Sequence, residues 1–289
     1  MKDFEDIPFE DYLQIDAMSK TAIWQAETSL LAYKHVRDNG IKETEPMRRG
    51  TAGHAALLEP ERFGEVYMVQ PDFTEGLTTK DGKPTTSKNS SEYRKRVADW
   101  QIEHPTALPI SHDFKADLDG MRERINGHGL ASELVDRLLV REGSLQWECP
   151  TTGNPCKCRY DAVSTVGDDV IGWDYKVVGE HLRPSKWAQK AIGYGYHVGD
   201  AHYRDGFNRV TGEVLDAFLF VVQESKPPYD IAVYEFDRET VVLGIRTRLR
   251  LMRAIADADR QNVYPGLPED IQVIEAPEWA FSREDAAID

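Results

Sequence analysis

Apolar residues recur at helical spacing in the first half of the chain and alternate with polar residues in the second half. The first helical stretch begins after a serine that suits an N-cap and ends at an Asn-Gly pair. Similar stretches follow, so we predict helices over 19–37, 47–58, 92–103 and 113–126. Residues 74–91 are rich in Thr, Lys, Gly, Ser and Pro, which predicts a mobile loop.

The pattern changes to a period of two residues near position 138. Two β-like runs flank a Pro-Thr-Thr-Gly-Asn-Pro connection, which predicts a hairpin. In chain order we predict strands over 138–149, 156–166 and 170–178, a helix over 184–205, strands over 214–224 and 229–237, and a helix over 238–262. This succession has no internal repeat and predicts one α/β domain with an N-terminal helical elaboration.

Charge divides the chain into three parts. Acidic residues accumulate in an N-terminal segment, 1–18, and in a C-terminal tail, 263–289. Between them lies a single predicted domain, 19–262, in which a helical part, 19–137, precedes the core, 138–262. The net charge of −15 opposes binding to a polyanion, but lysines and arginines also cluster locally. Those clusters fit either a basic channel or ordinary solvated helix faces, and the sequence leaves both open.

Composition narrows the class of protein. Hydrophobic residues make up 40% and charged residues 29%, which is typical of a soluble globular enzyme. No apolar run reaches membrane-spanning length, and the acidic N-terminus lacks the order of a secretion signal, so we predict an intracellular protein. A zinc or iron–sulfur site normally takes four ligands, and no fourth cysteine accompanies Cys149, Cys156 and Cys158; their odd number argues against a disulfide framework. We predict that they pack within strands.

Three short β-like runs, 147–148, 156–161 and 172–176, each deliver one acidic residue: Glu148, Asp161 and Asp174. Lys176 follows Asp174 by two positions, so the two side chains share one face of a strand. An Asp-x-Lys pair alone is more typical of a solvated face. Here apolar residues on both sides predict a buried central strand, where charges must be paired or bound to metal. Carboxylates suit Mg²⁺, and an adjacent lysine suits metal-dependent phosphodiester hydrolysis.

Four stretches, taken in order, make this pattern specific. They are Arg49-Gly50-Thr51-Ala52-Gly53-His54-Ala55 with Leu57-Leu58-Glu59-Pro60; Thr152-Gly153 with Cys156-Lys157-Cys158-Arg159-Tyr160-Asp161; Asp174-Tyr175-Lys176; and Tyr196-His197-Val198-Gly199-Asp200-Ala201-His202-Tyr203. Together they resemble the PD-(D/E)xK nuclease superfamily, and within it the RecE-type (exonuclease VIII) family of phage and prophage DNA exonucleases. The resemblance covers 19–260 and implies a restriction-endonuclease-like core, with helices flanking a central mixed sheet.

The resemblance also implies roles for individual residues. Lys176 corresponds to the catalytic lysine that positions or deprotonates the attacking water. Tyr203 corresponds to the tyrosine of a helix motif, glutamine-x-x-x-tyrosine, that borders the active site. One or two Mg²⁺ or Mn²⁺ ions are implied, with His54, Asp161, Asp174, the Tyr175 carbonyl and, at an acidic position before the hairpin, Glu148 as ligands. Without the resemblance, a histidine among small helix residues is more typical of a satisfied core group.

The sequence departs from the family pattern at two positions. Gly199 stands where the helix motif has glutamine, and Tyr160 stands where a proline usually precedes Asp161. Glycine removes an amide side chain and weakens a helix by about 1 kcal/mol relative to alanine. The predicted metal ligands and Lys176 are unaffected by these departures.

The resemblance implies a metal-dependent deoxyribonuclease that degrades linear double-stranded DNA from an end, 5′ to 3′, and generates single strands for phage recombination. It further implies a homo-oligomeric ring around DNA, a phage single-strand annealing protein as partner, no membrane, and the cytoplasm of a bacterial or phage-infected cell. Gly199 and the acidic charge leave open a catalytically impaired scaffold that binds DNA ends. An iron–sulfur nuclease of the same fold needs a fourth cysteine, which the sequence lacks.

Overall fold

A computed structural model describes residues 1, 3–42, 44–179 and 183–276, so residues 277–289 of the predicted tail lie outside the described part. The fold is mixed α/β, with helices flanking a central mixed sheet, which confirms the predicted class. The helices are α1 Phe9–Gln14, α2 Lys20–Thr28, α3 Leu30–Asn39, α4 Glu45–Leu58, α5 Pro60–Val66, α6 Ser91–Glu103, α7 His112–Asn126, α8 Gly129–Asp136, α9 Pro184–Gly193, α10 Tyr196–Thr211 and α11 Arg238–Gln261. The strands are β1 Tyr67–Val69, β2 Leu108–Ile110, β3 Leu138–Arg141, β4 Ser144–Glu148, β5 Pro155–Arg159, β6 Ala162–Val166, β7 Asp169–Val178, β8 Ala217–Glu224 and β9 Ile231–Glu235. No helix among the described residues combines the length and apolar character needed to cross a bilayer.

The central sheet has five strands in the order β3-β6-β7-β8-β9. Strand β7 lies in the middle, antiparallel to β6 and parallel to β8. Trp173 and Tyr175 pack into a core with α4, α7 and α8, whereas Phe218 and Phe220 pack into a second core with α9 and α10. A strand covered on both faces needs a near-continuous apolar run, which is what the sequence of β7 shows. The prediction of a buried central strand is confirmed.

The first two predicted strands are each interrupted. The first divides into β3 and β4 around Glu142 and Gly143, and the second divides into β5 and β6 around Tyr160 and Asp161. Strands β3 and β6 belong to the central sheet, whereas β4 and β5 form a separate ladder. Glu142 has a φ of 49°, and a Cβ atom at Gly143 would lie 2.4 Å from Val140. This kink is set by tertiary packing, and it brings Asp161 to the junction between the two sheets.

Two predicted helices are also divided. Residues 19–37 form α2 and α3, because Ser29 has extended backbone (φ −172°, ψ 159°) and its hydroxyl caps α3. Residues 184–205 lie in α9 and α10, which are separated by Gly195 at φ 67°. A Cβ atom at Gly195 would lie 2.3 Å from Trp24, so only glycine fits this junction. The other predicted elements agree with the structure to within a few residues, whereas α1, α5, α8, β1 and β2 were not predicted.

The N-terminal segment packs against the β4–β5 ladder. Lys157 is buried, and its ammonium donates hydrogen bonds to the carbonyls of Tyr12 and Ile15, each at 2.8 Å. Met18 forms a β-bridge with Cys156. Because α2 begins two residues after Met18, these contacts fix its first turn relative to the sheet and to α10.

Candidate active site

Asp174 and Lys176 lie side by side on β7, on the face that packs toward α9 and α10. Asp174 is only 9% exposed, and the Lys176 ammonium donates a hydrogen bond to its carboxylate. Burial alone lowers the pKa of Lys176, but the carboxylates of Asp174 and Asp161 outweigh burial and raise it above the ordinary value. Lys176 is therefore a firmly charged group at neutral pH, which suits it to donate hydrogen bonds rather than to accept a proton.

Asp161 lies next to this pair at the start of β6. Its Oδ2 accepts a hydrogen bond from the backbone N–H of Tyr175 at 2.7 Å. Burial and the neighbouring Asp174 carboxylate raise the pKa of Asp161 well above its usual range. The pKa of Asp174 is lowered, because its interactions with Lys176 and Asp161 outweigh burial. Two carboxylates in contact, one buried and one largely buried, form a site of negative potential beside the Lys176 ammonium, and a divalent cation would offset the repulsion between them.

His54 reaches the same point from α4. Its Nδ1 lies 3.4 Å from Oδ2 of Asp161, and its ring lies 5.3 Å from that of Tyr175. Burial and the Lys176 ammonium lower the pKa of His54 to about 4. The imidazole is therefore neutral at neutral pH, the form in which histidine binds metals. The close approach depends on Gly53, whose missing Cβ atom would lie 3.0 Å from Val177 of β7.

Glu142 completes the group and was not predicted. One ligand atom each from His54, Glu142 and Asp161 lie within 4.8 Å of one another, and this is the one group of potential metal ligands found among the described residues. The backbone N–H of Glu142 donates a hydrogen bond to the Asp161 carbonyl at 2.9 Å. The carboxylate of Glu142 accepts a hydrogen bond from Arg159 Nε, also at 2.9 Å. Burial raises the pKa of Glu142 despite Arg159. The feature of the sequence that could have indicated Glu142 is the Glu142-Gly143 pair, which interrupts an otherwise continuous β-like run.

The family described as a PDDEXK-like domain of unknown function (DUF3799) matches residues 15–277. The chain belongs to this family. The fold of this PDDEXK-like domain is similar to the crystal structure of a protein from Eubacterium rectale described as a "Putative exonuclease", with a TM-score of 0.52, 11% identity, and coverage of 96% of this chain and 98% of that one. A structure of SSO0001 matches with a TM-score of only 0.28, at 14% identity and with coverage of 70% of this chain and 85% of that one. No curated protein matches the sequence.

The structure places Glu148 away from the ligand group of this PDDEXK-like domain. Glu142 occupies the position in that group that was predicted for Glu148. Glu148 is exposed and ends β4, where it pairs with Pro155. Asp161 follows the opposite end of the β4–β5 ladder, beyond the pairing of Ser144 with Arg159. At roughly 3.3 Å per residue, the length of β4 separates Glu148 from that end. The expectation failed because of the hairpin register: Glu148 pairs with Pro155 beside the turn, and the same register places Glu142 opposite Asp161.

The donor set fits a divalent cation of the kind that PDDEXK-like nucleases use. Two carboxylates and a neutral imidazole converge at His54, Glu142 and Asp161, and the backbone of Tyr175 hydrogen-bonds His54. Oxygen-rich sets with one imidazole suit Mg²⁺ or Mn²⁺ and are unlike the thiolate sets of structural zinc sites. The partial burial and closeness of the two acids supply the physical reason for binding, because a cation offsets their mutual repulsion.

Tyr203 and Tyr160 form the aromatic wall beside the two aspartates. The Tyr160 hydroxyl donates to the Tyr203 carbonyl at 2.6 Å, and the Tyr203 ring stacks on Phe218 at 5.2 Å. Burial, followed by Asp174 and Asp161, raises the pKa of Tyr203 well above its ordinary value. The phenol therefore stays protonated. Tyr160, the departure that precedes Asp161, is 1% exposed and fills this wall with an aromatic ring.

The three cysteines are free and buried within the cores. Cys149 and Cys156 pack with Met18 and Ile23, and Cys158 packs with Leu145 and other residues of the second core. Burial raises the pKa of Cys156 to about 12 and that of Cys158 well above its ordinary value. Among the described residues, the potential metal-binding group contains no cysteine.

Gly199, the other departure, lies on α10 directly beneath the side chain of Lys20. A Cβ atom at Gly199 would lie 3.3 Å from Cγ of Lys20. Lys20 was not singled out from the sequence, since it lies on α2, far from the other site residues along the chain. Burial and the Lys176 ammonium lower the pKa of Lys20 to about 8.

Proposed function

We propose that the protein is a metal-dependent deoxyribonuclease that degrades linear double-stranded DNA from an end. The observation that carries this proposal is the convergence of His54, Glu142 and Asp161 beside the Asp174–Lys176 pair. Hydrolysis of a phosphodiester needs positive charge at the phosphate and an activated water, and this site gathers the groups that supply both. Membership of a PDDEXK-like family and the fold likeness to a protein described as a "Putative exonuclease" support a nuclease.

The proposed mechanism assigns separate tasks to the side chains. His54, Glu142 and Asp161 would hold Mg²⁺ or Mn²⁺, with Asp174 and the Tyr175 carbonyl completing one or two sites. The bound cation supplies Lewis acidity toward water and the phosphate. Lys176 donates hydrogen bonds to the attacking water or to a phosphate oxygen, because its raised pKa makes it a poor base. Asp174 keeps that ammonium in place and charged.

The finer features of the proposal rest on the motif resemblance to RecE-type exonucleases. They are 5′-to-3′ degradation that leaves single strands for phage recombination, a homo-oligomeric ring around DNA, and a phage single-strand annealing protein as partner. The place of action would be the cytoplasm of a bacterial or phage-infected cell.

The test uses linear duplex labelled at the 5′ or the 3′ end and closed circular DNA of the same sequence. With Mg²⁺ or Mn²⁺ we expect release of the 5′ label first, no cutting of the circle, and no product in EDTA. Asp174→Asn should be inactive, whereas Asp168→Asn, an exposed residue in the β6–β7 turn, should match the wild type. Equal digestion by wild type and Asp174→Asn would refute the proposal.

A second candidate is a catalytically impaired scaffold that binds DNA ends. Gly199 motivates it, because the amide of the helix motif is missing. The scaffold predicts metal-independent binding of duplex ends with no cleavage at any metal concentration. The same labelled substrates therefore separate the two candidates in a single experiment.

A further inference from the structure

The side chain of Lys20 runs across Gly199 toward the active site. A Cβ atom at Gly199 would lie 3.3 Å from Cγ and 3.4 Å from Cε of Lys20, so the lysine stem occupies the space that a side chain at 199 would need. The ammonium donates a hydrogen bond to the carbonyl of Tyr194 at 2.8 Å. It also lies 4.7 Å from the centre of the Tyr196 ring. The absence of a side chain at position 199 thus opens a path for a lysine from another helix.

Lys20 and Lys176 meet at the same aromatic ring. The Lys176 ammonium lies 5.4 Å from the centre of Tyr196, and Lys20 interacts electrostatically with both Lys176 and Asp174. Their charges are compensated differently. Lys176 is paired with Asp174, whereas Lys20 is bonded to a neutral carbonyl, and no carboxylate of the described residues forms an ion pair with it. A partly exposed ammonium that forms no ion pair of its own, beside a site for a polyanion, is suited to bind an anionic group of the substrate.

We propose that Lys20 binds a phosphate oxygen of the DNA strand in this active site, next to Lys176. The proposal rests on the nuclease function proposed above and adds a substrate-binding residue to it. A lysine ammonium is a compact point charge that approaches phosphate oxygens from many directions, so it needs no preset fork geometry. The Tyr194 carbonyl and the Tyr196 ring hold the ammonium in place and leave two of its three N–H groups for other acceptors.

A purely structural role for Lys20 makes different predictions. Tyr194 is the C-cap residue of α9, so the hydrogen bond from Lys20 could simply close that helix end. A neutral donor at position 20 would then serve as well as lysine. Binding of DNA would show no change in its dependence on salt, because the number of phosphates contacted would stay the same.

The experiment compares Lys20→Met, Lys20→Gln and Lys20→Arg with the wild type. Met keeps the stem over Gly199, Gln keeps a donor for the Tyr194 carbonyl, and Arg keeps the charge. The control is Lys115→Met, an exposed lysine of α7 that pairs with Asp119. Two quantities are measured: steady-state kcat/KM on linear duplex with Mg²⁺, and the salt dependence of duplex-end binding in EDTA. Thermal unfolding of each variant is recorded as well.

We expect kcat/KM to fall about tenfold to a hundredfold in Lys20→Met and Lys20→Gln, and to remain close to the wild-type value in Lys20→Arg. The slope of log K against log salt should become shallower by about 0.9 in Met and Gln and stay unchanged in Arg and in Lys115→Met. Full activity and an unchanged salt slope in Lys20→Gln would overturn the proposal. A loss of activity in Lys20→Met that a lowered unfolding temperature fully explains would also overturn it. If the wild type never cleaves yet the slope still changes, the proposed nuclease function fails while the phosphate contact stands.

Discussion

The carboxylate of Asp161 accepts a 2.7 Å hydrogen bond from the backbone N–H of Tyr175, across the boundary between β6 and β7. The bond fixes the first acid of the site relative to the strand that carries Asp174 and Lys176. It also means that Asp161 has two separable roles. One is to accept a backbone hydrogen bond, and the other is to provide charge.

Two substitutions separate those roles of Asp161. Asn keeps an acceptor for the Tyr175 N–H but removes the charge, so we expect activity to fall by at least about a hundredfold. Without metal, Asp161→Asn should be more stable than the wild type by about 1–2 kcal/mol at pH 8, because a buried charge is removed. Ala should be about 1–3 kcal/mol less stable than Asn, since it leaves the N–H unpaired. Urea unfolding in EDTA measures these differences.

The pH dependence of this comparison follows from the raised pKa of Asp161. A group whose folded pKa exceeds its unfolded pKa stabilises the fold fully below the unfolded pKa, and that contribution is lost as pH rises through the folded pKa. The advantage of Asn over the wild type should therefore grow from pH 5 to pH 8. A constant difference would show that Asp161 titrates as an ordinary carboxyl.

Metal binding can be tested by measuring stability as well as activity. Glu142 and Glu148 provide a matched pair of variants for this test. Saturating Mg²⁺ or Mn²⁺ should raise the unfolding free energy of the wild type, by about 2.7 kcal/mol at a hundredfold excess over Kd. Glu142→Gln should lose most of this gain, because Glu142 lies in the ligand group. Glu148→Gln should keep it, since Glu148 is exposed at the far end of β4. The opposite ranking would restore Glu148 as the ligand.

The sequence predicted those parts of the fold that are determined by local pattern and burial. Strand β7 was identified because apolar residues lie on both sides of Asp174 and Lys176, and helices α6, α7 and α11 were identified from apolar residues at helical spacing. The breaks at Ser29, Glu142 and Gly195 were missed. Gly195, for example, is a break because Trp24 of another helix occupies the space of its side chain. Such tertiary contacts leave no periodic signal in the sequence.

The distinction between local sequence pattern and tertiary contact applies to the site residues as well. Asp174 and Lys176 could be paired from sequence because two-residue spacing on a strand is a local relationship. Glu142, not Glu148, lies opposite Asp161, because the antiparallel register that pairs Glu148 with Pro155 places residue 142 opposite residue 161. This register follows from the predicted hairpin, so Glu142 could have been identified from the sequence. Lys20 was missed because only the folded chain brings α2 over Gly199.

His202 provides a structural test that is independent of catalysis. Its Nε2–H donates to the Lys157 carbonyl and its Nδ1 accepts from Arg248 Nε, both at 3.0 Å, and Arg248 pairs with Asp205. Burial and Arg248 lower the pKa of His202 to about 3. Because the folded pKa lies below the unfolded one, this contribution to stability is complete above pH 6.5 and declines as pH falls toward 3.

We therefore expect His202→Gln to be less stable than the wild type at pH 7.5 and to approach it, or exceed it, by pH 4. The relative change should be on the order of 4 kcal/mol at most. Urea unfolding at four pH values between 7.5 and 4 measures it, with the exposed His112→Gln as a control that should follow the wild-type profile. Parallel profiles for His202→Gln and the wild type would show that His202 has the same pKa in the folded and unfolded states.

The position of α4 against β7 can be tested with two glycines of the same helix. A Cβ atom at Gly53 would lie 3.0 Å from Val177, whereas one at Gly50 would meet nothing within 4 Å. Gly50→Ala should therefore stabilise the protein by up to about 1 kcal/mol through helix propensity, with unchanged activity. Gly53→Ala should instead cost about 1–3 kcal/mol through overpacking. Since His54 follows Gly53, a displaced helix should also weaken metal binding, so the metal-induced rise in unfolding temperature should shrink in Gly53→Ala and not in Gly50→Ala. An equal rise in both variants would mean that His54 does not need the close helix–strand contact.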